Sequence, residues 1–205
     1  VGTDNEQLLN DPMYLGWRHP RISGKEYDDM VERVVLAIQR KLPQAYLHWE
    51  DFGRENARRN LERYHQQMCT FNDDMQGTGA VTLVALLSAI TRTKVPLTEQ
   101  RIVIVGAGTA GTGIADQLCA AMRREGLSQQ EALSRFYLVG RHGLLHQAMP
   151  ELTAFQKPYA RADLAETGTN LSLHEVVKGL KRSVLIGCCN QQCFVHSRVG
   201  QGSVL

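Results

Sequence analysis

Residues 101–111 read RIVIVGAGTAG, and this stretch decides the fold. The β-branched run Ile102–Val105 predicts a buried strand, and Gly106, Gly108 and Gly111 follow it at the spacing GxGxxG. In this pattern the first glycine permits a tight turn and the second lets a pyrophosphate approach the backbone. The third allows close packing of the next helix, whose N-terminus attracts negative charge. We therefore predict a dinucleotide-binding turn; a glycine-rich turn in an unrelated α/β protein is the alternative.

Helices and strands alternate downstream of this turn. The predicted elements are a helix over Gly111–Arg124, a capping box at Ser128–Glu131 that opens a short helix, a strand over Phe136–Val139, a loop from Arg141 to about Thr169, a helix over Leu173–Leu180 and a strand over Ser183–Ile186. Such alternation is typical of a doubly wound parallel sheet. The fold class from Arg101 onward is therefore predicted to be α/β and Rossmann-like.

The residues upstream predict part of a second α/β domain, which we assign to residues 1–72, leaving residues 73–205 to the Rossmann-like domain. Residues 188–205 show no clear period and are atypical of it. The upstream domain is predicted to begin with an irregular segment, Val1–Lys25, followed by a helix capped by Asp28-Asp29 whose apolar face is Val31, Val34, Val35, Ile38 and Leu42. A strand over Ala45–Trp49 and a helix over Arg54–Gln67, with Ala57, Leu61 and Tyr64 inward, come next. A helix over Thr78–Thr91 then precedes the glycine-turn strand.

The charge and the cysteine content bear on the possible binding partners and on the cell compartment of the protein. A net charge of +2 with dispersed Lys and Arg gives no electrostatic case for nucleic-acid or membrane binding. An odd number of cysteines, with Cys188 and Cys189 adjacent, predicts a reducing compartment such as the cytoplasm, with the mitochondrial matrix or another organelle as the alternative. Cys188 or Cys189 with Cys193 and His196 could imitate a zinc site, but without a CxxC pair we interpret this as chance.

Two pairs of adjacent carboxylates, Glu50-Asp51 and Asp73-Asp74, are framed by aromatic residues, which predicts half-buried acids that need a cation, a proton or a strong donor. Glu50, Asp51 and one of Asp73 or Asp74 would offer three oxygen ligands to Mg²⁺ or Mn²⁺. Helix capping by Asp51 and Asp74 is the alternative. His48 lies in an apolar strand, and we interpret it as a core or edge residue rather than a ligand.

The second strand of the dinucleotide fold ends in Gly140-Arg141 instead of an acid. An Asp or Glu there would bind the ribose hydroxyl of NAD, whereas Arg141 could accept the 2′-phosphate of NADP. A solvated Arg141, with the ribose held elsewhere, is the competing interpretation. The cofactor is thus predicted to be NAD or NADP.

At the carboxylates the sequence resembles the malic enzyme family. The resemblance rests on Glu50-Asp51-Phe52 with Asn56-Ala57 and on FNDDMQGT at Phe71–Thr78, and it runs from Val1 to about Gly187. It implies oxidation of L-malate with NAD or NADP, followed by decarboxylation to pyruvate, in a divalent-metal-dependent homo-oligomer, a dimer or a tetramer.

The resemblance also implies residue roles. Glu50, Asp51 and Asp74 would bind the metal, and Asp73 would support a catalytic lysine. The residues implied at the cofactor are Thr78, Gly106, Gly108, Ala110 and Gly111, with Asn56 as a further candidate.

The ends of the chain carry separate expectations. The family's tyrosine acid and lysine base precede the segment that matches Val1, and the chain does not start with Met, so we expect an internal fragment that is inactive alone. Residues 188–193 depart from the family pattern, which an aberrant terminus would explain better than a family variant. A malolactic-type lyase giving lactate with bound NAD and a non-catalytic dinucleotide-binding fragment are the alternative functions.

Overall fold

The computed structural model describes residues 2–163, 170–179 and 184–189. The chain divides into two compact units, Val1–Leu47 and His48–Leu205. The predicted domain boundary between residues 72 and 73 stays a prediction. Among the described residues, no helix combines the length and the apolar character needed to cross a membrane.

The first unit holds two helices, α1 (Glu6–Asn10) and α2 (Gly24–Lys41). The side chain of Asn5 caps α1 by accepting the N–H groups of the first turn. The prediction that Asp28-Asp29 caps α2 was wrong. The N-cap is Ser23, five residues before Asp28, and Lys25 pairs with Asp29 inside the helix. Its predicted apolar face was correct only in part. Val31 and Val35 are buried, whereas Val34 and Leu42 are exposed.

The second unit contains the remaining elements, the first of which starts at the unit boundary. They are β1 (Leu47–Trp49), α3 (Arg54–Tyr64), β2 (Thr70–Asn72), a π-helical turn (Asp73–Gly77), α4 (Thr78–Thr93), a 3₁₀ turn (Leu97–Glu99), β3 (Ile102–Val105), α5 (Thr109–Arg124), α6 (Gln129–Leu133), β4 (Phe136–Gly140), β5 (Gly143–Leu144), a second 3₁₀ turn (Lys157–Tyr159), α7 (Leu173–Gly179) and β6 (Val184–Gly187). β1 and β2 form a two-stranded sheet.

A four-stranded sheet with the order β5-β4-β3-β6 forms the centre of this unit. β3 pairs in parallel with β4 on one side and with β6 on the other. β5 is antiparallel to β4 at the edge, so the sheet is mixed. The sequence placed this edge strand in a loop because two residues, one of them Gly143 with φ +101°, carry no alternation to detect.

The two faces of the sheet are covered by different helices, as a doubly wound fold requires. Alternate strand residues, Ile102 and Ile104 among them, pack with the apolar side chains of α5 on one face. Val103 and Val105 pack with Val176 and the rest of the α7 apolar face on the other. The predicted α/β, Rossmann-like class is confirmed for this part of the chain.

Glycines bring α5 against the segment that carries the second carboxylate pair. A Cβ added at Gly113 would lie 2.8 Å from the Cα of Met75, inside the π-helical turn. A Cβ at Gly79, the second residue of α4, would lie 3.1 Å from the Gly113 carbonyl oxygen. The absence of side chains at both positions therefore lets the turn and α4 pack directly on α5.

Candidate functional site

The glycine turn between β3 and α5 is built from backbone atoms. Gly106 has φ +112°, in the region that favours glycine. Its N–H donates to the Val139 carbonyl at 2.9 Å, which ties the turn to β4. A Cβ at Gly111 would lie only 1.7 Å from the Gly106 carbonyl oxygen, so no other residue fits there without a backbone shift. These are the constraints that the GxGxxG spacing predicted.

A cavity of about 930 Å³ opens at the carboxyl ends of β3, β4 and β6, and Gly106, Gly108 and Arg141 are among the residues that line it. Its place at the ends of parallel strands is the usual ligand position in open α/β sheets. Its volume suits a large organic cofactor. Ala110 and Gly111 lie in the first turn of α5 and are not among the described lining residues.

Two polar contacts in the wall of this cavity were not foreseen from the sequence. The buried Gln156 side chain donates to the Ala107 carbonyl at 2.7 Å, which fastens a distant loop to the glycine turn. His146 Nε2 and Asn170 Oδ1 lie 2.9 Å apart. The partners are 49 and 24 residues apart in the chain, so no local pattern could have indicated either pair.

Cys188 supports the glycine turn from β6. Its thiol donates to the carbonyls of Val105 and Gly106, each at 3.3 Å. Burial, with a smaller contribution from Cys189, raises the pKa of Cys188 to about 11. The thiol therefore stays protonated and serves as a donor at neutral pH. Cys193 and His196, the other members of the zinc-like pattern, lie outside the described residues.

The carboxylate loop, residues 48–51 with residues 71–74, stands at the ends of β1 and β2. Glu50, Asp51 and Asp73 are exposed and Asp74 is half-buried, so the expectation of half-buried acids was wrong for three of the four. Successive strand residues point to opposite faces. The buried Trp49 therefore leaves its neighbour Glu50 on the exposed face.

The tertiary structure brings the acids together in two adjoining groups. Donor atoms of His48, Glu50 and Asp73 all lie within 4.8 Å of one another, and His48 Nε2 is 3.5 Å from Glu50 Oε2. Asp74 Oδ2 accepts the N–H of Asp51 at 3.1 Å. Asp51 itself has φ +55°, an uncommon value for a residue other than glycine. Of the predicted ligands, Glu50 thus lies in one group with His48 and Asp73, whereas Asp51 meets Asp74 only through its backbone N–H.

Asn72 holds the turn that presents Asp73 and Asp74. It is fully buried, its Oδ1 accepts the Met75 N–H at 3.0 Å, and its own N–H donates to Gln76 Oε1 at 3.0 Å. Its Nδ2 has no hydrogen-bond partner among the described residues. A buried donor without a partner is uncommon in folded proteins.

The other predicted site residues lie on helices beside the loop. Thr78 is the first residue of α4, and its hydroxyl donates to the Asp73 carbonyl at 3.4 Å. Asn56 lies on α3, where its Oδ1 accepts from Arg59 at 2.9 Å. Neither is among the described residues that line the large cavity. Their assignment to the cofactor stays a prediction, as do the metal ligands and the role of Asp73.

A polar cluster that the sequence did not indicate joins three elements of the unit. Asp116 on α5 accepts from Arg58 on α3 and from the Tyr159 hydroxyl, the latter at 2.7 Å. Burial, followed by the charge of Asp116, raises the pKa of Tyr159 far above its usual range. Tyr159 is therefore a permanent donor. This cluster ties the helix that follows Glu50-Asp51 to the helix that follows the glycine turn.

Family models match both parts of the chain. The model described as "Malic enzyme, N-terminal domain" covers residues 1–65, and the one described as "Malic enzyme, NAD binding domain" covers residues 75–201. Among curated proteins, NAD-dependent malic enzyme 3 of Bacillus subtilis is 51% identical over 91% of this chain and 34% of the relative. NAD-dependent malic enzyme 2 of Photobacterium profundum is 50% identical, again over 91% and 34%. The chain spans about one third of the length of these relatives.

Solved structures show the same fold at lower identity. The NAD-dependent malic enzyme of Thermotoga maritima superimposes with a TM-score of 0.60 at 22% identity, over 82% of this chain and 42% of that one. The malic enzyme of Entamoeba histolytica gives a TM-score of 0.59 at 23% identity, over 80% and 33%. At this identity the match speaks for the fold alone.

Proposed function

Because the chain belongs to the malic enzyme family, we propose that the whole protein oxidises L-malate with NAD and decarboxylates the product to pyruvate, with the help of a divalent cation. One observation carries the proposal. The turn with Asp73 and Asp74 packs on α5, the same helix that begins at the glycine turn. A substrate held by the carboxylates would thereby lie in the same unit as a dinucleotide held by the glycines.

The glycine turn fits a dinucleotide. Gly106 takes a conformation that only glycine adopts readily, and Gly111 leaves no room for a Cβ, so the turn is tight and α5 packs closely on it, as a dinucleotide-binding turn requires. The first turn of α5 offers N–H groups to negative charge. The large cavity beside it would hold the remainder of the cofactor.

The carboxylate loop fits a hard divalent cation. Carboxylate oxygens are the ligands that Mg²⁺ and Mn²⁺ prefer, and the carboxylates of Glu50 and Asp73 meet from the ends of two strands that pair with each other. We propose Glu50, Asp51 and Asp74 as ligands, with Asp73 supporting a lysine base through its charge.

When bound, the cofactor would accept hydride and the cation would polarise the oxygen at malate C2. The chain's own residues would place these groups. The glycine turn fixes the dinucleotide, and the acids fix the cation. The Arg58–Asp116–Tyr159 cluster holds α3 and α5 in register, so that the two sites keep a constant separation.

The choice between NAD and NADP depends on Arg141. The relatives are named NAD-dependent, which supports NAD. Arg141 lines the cavity at the end of β4, where it could accept a 2′-phosphate. We expect the complete protein to use NAD. If Arg141 reads a 2′-phosphate, NADP will also be used, and Arg141→Ala will reduce kcat/KM for NADP without affecting that for NAD.

The experiment is an assay of the complete protein with L-malate, Mn²⁺ and NAD, following NADH by absorbance and measuring pyruvate and lactate separately. We expect equal amounts of NADH and pyruvate, both lost in Asp74→Asn. Lactate without net NADH would replace this proposal with the malolactic-type lyase. A folded protein that binds Mn²⁺ and NAD but converts no malate would contradict both.

A further inference from the structure

His146 is a buried side chain with one free ring nitrogen in the wall of the large cavity. Only 4% of the residue is exposed, and it lines the cavity at the carboxyl ends of β3, β4 and β6. Its Nε2 lies 2.9 Å from Asn170 Oδ1, whereas its Nδ1 has no hydrogen-bond partner among the described residues. Because the ring lines a cavity, a bound molecule can supply the partner that the protein does not.

The bond to Asn170 decides which ring nitrogen carries the proton. An amide oxygen only accepts, so His146 Nε2 donates to Asn170 Oδ1. In the neutral ring Nδ1 then carries a lone pair and is an acceptor. Backbone bonds hold this segment in place: the His146 carbonyl accepts the Met149 N–H at 3.1 Å. The cavity wall therefore holds an oriented acceptor, which needs a donor on the ligand.

The sheet topology shows which part of a dinucleotide would lie near His146. The strand order is β5-β4-β3-β6. In a dinucleotide-binding fold the pyrophosphate lies at the glycine turn after the first strand, here β3, and the adenosine ribose lies at the end of the second, here β4. The base continues in the same direction, toward the edge formed by β5. His146 follows β5 by two residues, so it lies on the side of the cavity where the base would lie.

We propose that His146 Nδ1 accepts a hydrogen bond from the exocyclic amine of adenine, and that this contact makes the site selective for an adenine dinucleotide. The amine is a donor, whereas hypoxanthine has a carbonyl oxygen at the same carbon. That oxygen would face the lone pair of Nδ1, and both acceptors would be left without a proton. The inference rests on the proposed function in assuming that the cavity takes a dinucleotide, and it adds the residue that recognises the base.

The first measurement needs no variant. Calorimetric titrations at pH 8, above the range in which histidine usually takes up a proton, compare the affinity of the complete protein for NAD and for nicotinamide hypoxanthine dinucleotide. The two ligands differ only in the base. We expect NAD to bind about tenfold or more tightly, because the analogue leaves a buried acceptor unpaired. Equal affinities would overturn the inference.

Two substitutions at the same position separate the free acceptor from the bond to Asn170. His146→Gln places an amide nitrogen near the position of Nε2, so it keeps a donor for Asn170 and loses the acceptor. His146→Asn places an amide oxygen near the position of Nδ1, so it keeps the acceptor and loses the bond to Asn170. We expect the preference for NAD to fall to within about twofold in His146→Gln and to stay at about fivefold or more in His146→Asn. A preference that His146→Gln leaves unchanged would overturn the inference.

The matched control is His142→Gln. His142 lines the same cavity but is exposed, so its replacement should leave the preference for NAD unchanged. If His142→Gln removes the preference as completely as His146→Gln does, the selectivity does not come from the buried acceptor and the inference fails.

Failure of this inference differs from failure of the proposed function. If the protein binds NAD and the hypoxanthine analogue equally well, the role of His146 alone is refuted. If the folded protein binds neither dinucleotide, the cofactor part of the proposed function fails as well. Selective binding of NAD without conversion of malate would support the role of His146 and refute the proposed reaction.

Discussion

The glycine turn and the carboxylate loop are both candidate halves of one active site, but they are built in opposite ways. The glycine turn consists of backbone atoms held by a buried parallel sheet, with Val103 and Ile104 inaccessible to solvent. The carboxylate loop presents side chains at the ends of a two-stranded sheet, and three of its four acids are exposed. The glycine turn has no room for even one added carbon atom. In the carboxylate loop, only some of the residues have an unstrained backbone.

The difference shows where each half obtains its precision. A turn made of backbone in a packed core is rigid because any change in volume meets close-packed neighbours. Exposed carboxylates gain order from a few hydrogen bonds, such as the one from Asp51 N–H to Asp74, and would gain more from the cation that we propose. Substitutions should therefore act on stability in the turn and on ligand binding in the loop.

The largest effect is expected from Gly111→Ala. The new Cβ would lie 1.7 Å from the Gly106 carbonyl oxygen, so the turn must move, and we expect a loss of about 3 kcal/mol or more in the free energy of unfolding. Urea unfolding measures it. Gly53→Ala, two residues after the first segment of the carboxylate loop, is the control, since a Cβ there meets nothing within 4 Å. Similar losses in the two variants would contradict the difference in rigidity between the glycine turn and the carboxylate loop.

A pH effect should come from the glycine turn and Cys188. Burial raises the pKa of this thiol to about 11 in the folded chain, above its ordinary value of 9.0. The protonated form is thus favoured by folding, and its contribution is complete below pH 9 and lost as the pH rises toward 11. The size of this loss is reduced by the partial exposure of Cys188.

The measured quantity is the difference in unfolding free energy between the unmutated chain and Cys188→Ala across this pH range. The difference should shrink as the pH rises. A difference that is constant from pH 8 to 11 would show that the thiol is not held in its protonated form by the turn.

Tyr159→Phe tests the connection between the two halves. It removes the hydroxyl that donates to Asp116, and we expect a loss of about 1 kcal/mol in unfolding free energy. The double variant with Asp116→Asn should lose less unfolding free energy than the sum of the two single losses, because both substitutions break the same cluster. Additive losses would mean that Tyr159 and Asp116 act independently.

The smallest effect, and one of opposite sign, is expected from Asp51→Gly. Its φ of +55° suits glycine, and its N–H bond to Asp74 is kept, so we expect a gain of about 0.5 to 1 kcal/mol in unfolding free energy. Affinity for Mn²⁺ should fall in the same variant. A stability loss with unchanged Mn²⁺ affinity would remove Asp51 from the ligand set.

The sequence predicted best where the determinants are local. The strand before Gly106, the glycine turn and the capping box at Ser128 all appear as expected, because each depends on neighbours within a few residues. The start of α2 was mispredicted because the adjacent acids Asp28 and Asp29 resembled a helix cap. In the structure Asp29 lies inside the helix and pairs with Lys25, one turn earlier. The edge strand β5 was too short to carry a pattern.

The candidate site could be predicted only in part. Motif resemblance pointed to Glu50, Asp51 and Asp74 as ligands, which stays a prediction. The exposure of Glu50 and Asp51 was misjudged, since an aromatic neighbour in a strand points to the opposite face. His48 was set aside because its sequence context is apolar. Asp116, Gln156 and Cys188 act through partners far away in the chain, which no single segment reveals.

The sequence by itself determined the family through the motif FNDDMQGT at Phe71–Thr78. It also determined the α/β class and the dinucleotide turn, because hydrophobic period and glycine spacing act over a few residues of chain. Only the tertiary structure decided which donor atoms meet. The packing of Gly113 on Met75 places the acids against α5, and the pairing of β1 with β2 brings His48 to Asp73. Such meetings depend on contacts between segments that are distant in sequence, and these form only when the core closes.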